Sequence, residues 1–220
     1  TNIYPESKTA TSCTVIEHGK KYYDERGKIE TFSELVLCAK LNDFDFDSTN
    51  FFNGLKKLKN VKVVSASFVD FSRLNECFIE KMFTAMQYMP IEEFNFSKCL
   101  IGGMNWEQIL AFSKGINRFR ETIVTLGVLN DGLENLQNSW WDTIWRLIRG
   151  LKKLTSLNLQ GNNFSSLSKN QKESMETVIN EHPSISLFWI GNRSLILKGA
   201  EHRENIFFSK KSRKWLSYGV

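Results

Sequence analysis

The feature that most constrains this chain is a recurring window of eleven residues. Large apolar side chains hold its first, fourth, sixth and eleventh positions. The cleanest copy is LTSLNLQGNNF, with Leu154, Leu157, Leu159 and Phe164 in those positions and Asn162 ninth. The other copies are LNDFDFDSTNF, VKVVSASFVDF, IEEFNFSKCLI and IVTLGVLNDGL. The five windows begin at residues 41, 61, 91, 123 and 154, so the steps are 20, 30, 32 and 31 residues. Alternation at the fourth and sixth positions is the pattern of a short strand with one buried face. The ninth position turns the chain away from that strand, and a side-chain amide there bonds backbone groups that the turn leaves unpaired. That slot reads Thr49, Val69, Cys99, Asp131 and Asn162. One such unit has no core of its own; stacked units share one.

Between the windows the apolar period becomes helical. Leu74, Phe78, Met82, Ala85 and Met89 recur at three- and four-residue steps before Pro90 ends the run. Asn105 reads as the N-cap of a helix through Trp106, Ile109, Leu110, Phe112 and Ile116. Further helices are predicted over Leu136 to Leu151 and Ser168 to His182, the second ending before Pro183. Within the first, Trp140, Ile144, Leu147 and Leu151 form the predicted inward stripe, flanked by Trp141 and Ile148, with Trp145 farther round. Phe51 to Asn60 is too short for such a helix and predicts a single turn or loop. A sixth unit, SISLFWIGNRSL, fits two registers. With Asn192 ninth, Leu187 and Trp189 face inward; the alternative buries Ile185, Phe188 and Ile190.

A period near thirty carried by this window resembles the leucine-rich repeat, and Cys in the ninth slot, with long helical repeats, resembles its ribonuclease-inhibitor-like subclass. The resemblance implies an α/β solenoid: a parallel concave sheet backed by helices through right-handed connections, with a cap at each end. The domain reading is an N-terminal cap over residues 1–40, with possible strands around Thr14 to Glu17 and a short helix near Phe32 to Ala39. Leucine-rich repeats follow over 41–195, and a basic C-terminal cap or tail over 196–220. Such repeats present the concave sheet, or its loop edges, to a protein ligand.

Residues with catalytic or ligating potential form no recognisable site. The histidines are His18, His182 and His202, and Cys13 with His18 lacks a second pair at metal-binding spacing. Gly102-Gly103 precedes a helix but lacks the Gly-Lys-Ser/Thr ending of a phosphate loop, and so reads as turn chemistry. His182, at a helix C-terminus, would suit the dipole there as a partly positive imidazole. No cysteine is followed two residues later by Asp, the nucleophile motif of some bacterial repeat-containing ubiquitin ligases. The expectation is a non-enzymatic chain with no cofactor and no metal. Cys13, Cys38, Cys77 and Cys99 form no dense framework and fit reduced thiols in a cytoplasmic compartment. The sequons at Asn95, Asn163 and Asn192 are read as chance. No apolar run has the length of a membrane span, and the opening TNIYPESKTATS does not read as a signal peptide. Because the chain does not begin with Met, a removed N-terminal segment is expected.

Charge distribution narrows the partner. The formal charge is +5, and residues 196–220 hold Lys198, Arg203, Lys210, Lys211, Arg213 and Lys214 against only Glu201 and Glu204. The repeats themselves are therefore almost neutral. Their outward strand positions are predicted as Asp43, Asp45 and Asp47; Val63, Ser65 and Ser67; Glu93, Asn95 and Ser97; Thr125, Gly127 and Leu129; Ser156, Asn158 and Gln160. In the Asn192 register, Ser186, Phe188 and Ile190 follow. This face runs from acidic through small and polar to apolar, unlike the cationic groove a nucleic acid needs. The reading is a protein-binding module, expected as a monomer, with Asp43, Asp45, Asp47, Glu93, Asn95, Asn158, Gln160 and Phe188 meeting the partner. Lys, Asn and Phe richness resembles leucine-rich repeat effectors that bacteria deliver into host cytosol. One alternative binds RNA or the ribosome through Lys210, Lys211, Arg213, Lys214 and Trp215; another is a substrate adaptor of a ubiquitin ligase.

Overall fold

The computed structural model describes residues 34–37, 39–43, 47–190 and 193–196. Among these residues, seven strands form one sheet in sequence order: β1 (Glu34–Leu37), β2 (Val63–Ser67), β3 (Glu93–Ser97), β4 (Thr125–Leu129), β5 (Ser156–Asn158), β6 (Leu187–Ile190) and β7 (Arg193–Ile196). The first six are parallel, and β7 returns antiparallel to β6. After each of β1 to β5 comes a short 3-10 helix and then an α-helix: α1 (Ser48–Lys57), α2 (Glu76–Met86), α3 (Trp106–Asn117), α4 (Asn138–Gly150) and α5 (Lys169–Glu181). This is the leucine-rich-repeat architecture, with the helices stacked on one side of a parallel sheet.

The core lies between sheet and helices, and the window explains it. Fourth and sixth positions point in, as Val64 and Ala66, Phe94 and Phe96, Leu126 and Val128, and Leu157 and Leu159, all buried. Each large side chain so buried contributes about 1.5–3 kcal/mol. Phe96 meets Phe71 edge-on at 5.8 Å and Phe112 at 5.1 Å, which ties strand, turn and helix of neighbouring repeats together. Helix starts follow the sequence: Asn105 with Gln108, and Ser168 with Gln171, form capping boxes on α3 and α5. The Gln108 amide also donates to the carbonyls of Ser72 and Leu74 one repeat back, so a cap doubles as an inter-repeat link. Gly102 is needed for close approach, since a Cβ there would lie 1.8 Å from the Gly132 carbonyl oxygen.

Several expectations are corrected. The first described strand is upstream of the Leu41 window. It lies nine residues earlier, with Leu35 and Leu37 buried and Glu34 in register with Val63. The strand starts then step by 29, 30, 32, 31 and 31 residues, and the anomalous step of 20 disappears. Residues 34–37 are thus strand rather than the predicted short helix. The helix of the first repeat exists too: α1 runs ten residues, capped by Asp47 and burying Phe51 and Leu55. In the sixth repeat the alternative register holds. Phe188 pairs with Leu157 and is fully buried, while Leu187 and Trp189 take outward positions. On α4, Ile144, Leu147 and Leu151 of the expected stripe are buried, but so are Trp141, Trp145 and Ile148, while Trp140 is only half-buried; the Trp141 indole donates to the Gln171 carbonyl of the next repeat. Nδ1 of the buried His182 accepts the backbone N–H groups of Ser184 and Ile185, so the ring pins the turn that follows α5. Cys77 is exposed on α2.

Candidate interaction surface

The outward strand positions form an open face with three cross-strand rows. Along the first stand Glu34, Val63, Glu93, Thr125, Ser156 and Leu187. Val36, Ser65, Asn95, Gly127, Asn158 and Trp189 make the second, and Ser67, Ser97 and Leu129 a shorter third. Between β1 and β6 no Lys or Arg occupies an outward position of a described strand. The carboxylates concentrate at the β1–β3 end and the large apolar side chains at β6. Hydrogen bonds hold the acidic end in place: Ser65 Oγ donates to Glu34 Oε1 at 2.9 Å, and the Asn95 amide donates to Glu93 Oε1. The Asn95 side chain leans over Gly127, where a Cβ would come within 2.6 Å of its oxygen. With strands about 4.8 Å apart, Glu34 and Glu93 sit about 10 Å from one another along the row.

A rim borders the face where the strands end. Its residues at the eighth window position, Phe68, Lys98, Asn130 and Gly161, all adopt left-handed backbone, with φ of 60°, 55°, 54° and 77°. Asn and Gly suit that conformation; Phe and Lys do not. The reason lies in the neighbouring repeat. The N–H groups of Phe68, Lys98 and Asn130 continue the ladder by donating to the carbonyls of Ser97, Leu129 and Gln160. The bonds fix the backbone, and the Phe68 ring is left 61% exposed with the Lys98 ammonium 5.0 Å from its centroid. Leu100, also left-handed, is 49% exposed.

The predicted partner residues divide accordingly. Glu93, Asn95 and Asn158 are half-buried on the open face, and Gln160 follows directly, its N–H donating to Asn158 Oδ1. Asp43 is exposed but off the sheet, and Asp47 caps α1 by accepting from the Asn50 backbone and side chain. Asp45 lies outside the described residues, as do Lys210, Lys211, Arg213, Lys214 and Trp215. Phe188 belongs to the core. The sequence reading missed Glu34, Val36, Leu187 and Trp189 as face residues and Phe68 and Leu100 as rim residues.

The Cys99 thiol is buried behind the rim and pushed up to about 12, first by burial and then by Asp131, so it stays a thiol and not a nucleophilic thiolate. Among the described residues no three His, Cys, Asp or Glu side chains are grouped to hold a metal ion, and no helix is long and apolar enough to cross a membrane. No protein-family model and no curated protein matches the chain. Among solved structures it is similar to the tropomodulin C-terminal domain from Caenorhabditis elegans, at 19% identity over 71% of this chain and 88% of that one, with a TM-score of 0.45.

Proposed function

We propose that this chain is a non-enzymatic protein-binding solenoid that holds its partner on the open face of the sheet. The observation that carries this reading is the polarity of that face: Glu34 and Glu93 at one end, Leu187 and Trp189 at the other, and no cation between. A face so arranged steers a partner whose basic residues meet β1 to β3 and gives it an apolar anchor at β6. Asn95, Asn158 and Gln160 supply hydrogen-bonding groups between the poles, and Phe68 and Leu100 extend the apolar contact onto the rim. Trp189 replaces Phe188 as the anchor. Within this proposal the partner is a cytosolic host protein, a choice that rests on composition resembling delivered effectors.

Capture from cytosolic extract, with and without nuclease, tests the reading. The wild-type chain should retain a nuclease-resistant protein, and Trp189→Ala combined with Glu93→Gln should lose it. Equal capture by wild type and variant would move the interface off the face. Loss of the partner on nuclease treatment would point instead to RNA on the basic tail.

A further inference from the structure

The ninth window positions form a row of their own behind the turns. Asn162 Nδ2 donates to Val128 O at 2.8 Å, the sixth-position carbonyl of the preceding repeat, and to Leu159 O of its own repeat at 3.0 Å. Its Oδ1 accepts from the N–H groups of Asp131 and Leu133, each at 3.1 Å. Two repeats earlier, Cys99 Sγ lies 3.4 Å from Ala66 O, once more the sixth-position carbonyl of the repeat before it. On both sides of Asp131, then, the ninth side chain donates a hydrogen to the same place in the preceding repeat.

Asp131 repeats half of this pattern. It is fully buried, and its Oδ1 accepts from the Cys99 N–H as Asn162 Oδ1 accepts from Asp131. Its Oδ2 takes the place of the asparagine nitrogen, is buried, and has no hydrogen-bond donor. By the repeat's own register the carbonyl opposite that place is Phe96 O, the sixth position of the preceding window. A carboxylate only accepts; a carboxylic acid has one hydrogen to give. We propose that Asp131 is held as a neutral carboxylic acid whose Oδ2 hydrogen bonds the Phe96 carbonyl, making this rung of the row a proton-dependent lock on the turn that carries Cys99 and Leu100.

The surroundings agree. Burial pushes the Asp131 carboxyl up from its ordinary 3.8 to about 7, against backbone N–H groups that pull it down. From the β3 turn its neighbours are Cys99, a neutral thiol, and Lys98, whose ammonium is committed to the Phe68 ring. From the β5 turn comes the neutral Asn162, and from the 3-10 helix after β4 the half-buried Glu134. Among the described residues no Lys or Arg bonds either Asp131 oxygen. A carboxyl raised on folding stabilises the fold fully below its unfolded value near 3.8 and loses that contribution as pH rises through about 7. In that window the folded chain holds one more proton than the unfolded chain, so the unfolding constant should rise by up to tenfold per pH unit.

Urea unfolding of wild type and Asp131→Asn between pH 5 and pH 8.5 is the test. The asparagine supplies the missing donor at every pH. The ratio of wild-type to variant unfolding constants should therefore climb by up to roughly a hundredfold from pH 5 to 8, and Glu134 cancels from that ratio. Parallel profiles would overturn the proposal. Carbon-13 NMR of the wild-type aspartate carboxyls reports independently of whether the variant folds: one resonance should titrate near neutrality, and titration of every aspartate below pH 5 would overturn the proposal equally.

Discussion

Phe188→Ala separates core from surface at the point where the sequence admits both. The ring is fully buried, in register with Leu157 at the last parallel strand. Truncation removes its transfer free energy and leaves a cavity, a combined cost of about 3–5 kcal/mol for a buried Phe. Domains of this kind hold about 5–15 kcal/mol in total, so the variant should fold with a large part of its margin gone. With a urea dependence of about 1–3 kcal/mol per molar, the midpoint should fall by at least about 1 M. Trp189→Ala is the matched control: its half-buried side chain stands on the open face, so it should shift the midpoint much less while weakening partner binding. Urea titration followed by circular dichroism measures both. An unchanged midpoint for Phe188→Ala together with a large drop for Trp189→Ala would refute the register and restore the one with Asn192 ninth.

Other outcomes follow from the same geometry. Asn162→Ala strips partners from four buried backbone groups, each costing about 1–3 kcal/mol when left unmet; thermal unfolding should show a loss of roughly 3 kcal/mol or more, and a loss under 1 would mean the row is not structural. Gly102→Ala places a Cβ 1.8 Å from the Gly132 carbonyl, so neighbouring turns must part, at a cost of at least about 2 kcal/mol by calorimetry. Glu34→Gln with Glu93→Gln should slow partner association and flatten its salt dependence while leaving dissociation almost unchanged, as stopped-flow or surface binding kinetics would read.

The sequence held most of this architecture in its spacing. Four windows, the helix caps at Asn105 and Ser168, and the helix ends at Pro90 and Pro183 rest on local chemistry that the fold does not override. The first repeat is obscured in the sequence because Asp43 to Asp47 alternates acid and Phe more regularly than Glu34 to Leu37, whose valine blurs the contrast. The step of 20 residues against 30 to 32 was the available signal that the strand lay farther upstream. In β6, Leu187, Phe188, Trp189 and Ile190 are all apolar, so period two has nothing to read, and only pairing with β5 decides which side turns in. The rim was invisible for a different reason. Phe68, Lys98 and Leu100 are residue types that argue against left-handed backbone; at Phe68 and Lys98, hydrogen bonds to the next repeat impose it. Asp131 likewise reads as an ordinary turn residue until its buried oxygens are compared with those of Asn162.

The central claim is that the open face of the sheet, and not the helical side, meets the partner. Photo-crosslinking measures this directly, with a benzophenone amino acid placed either at Ser156, half-buried on the open face beside the apolar end, or at Lys81, exposed on α2. In cytosolic extract the probe at residue 156 should give a discrete protein adduct that excess unlabelled chain suppresses, and the probe at 81 should give none. A suppressible adduct from residue 81 with none from 156 would contradict the claim and place the binding surface on the helices.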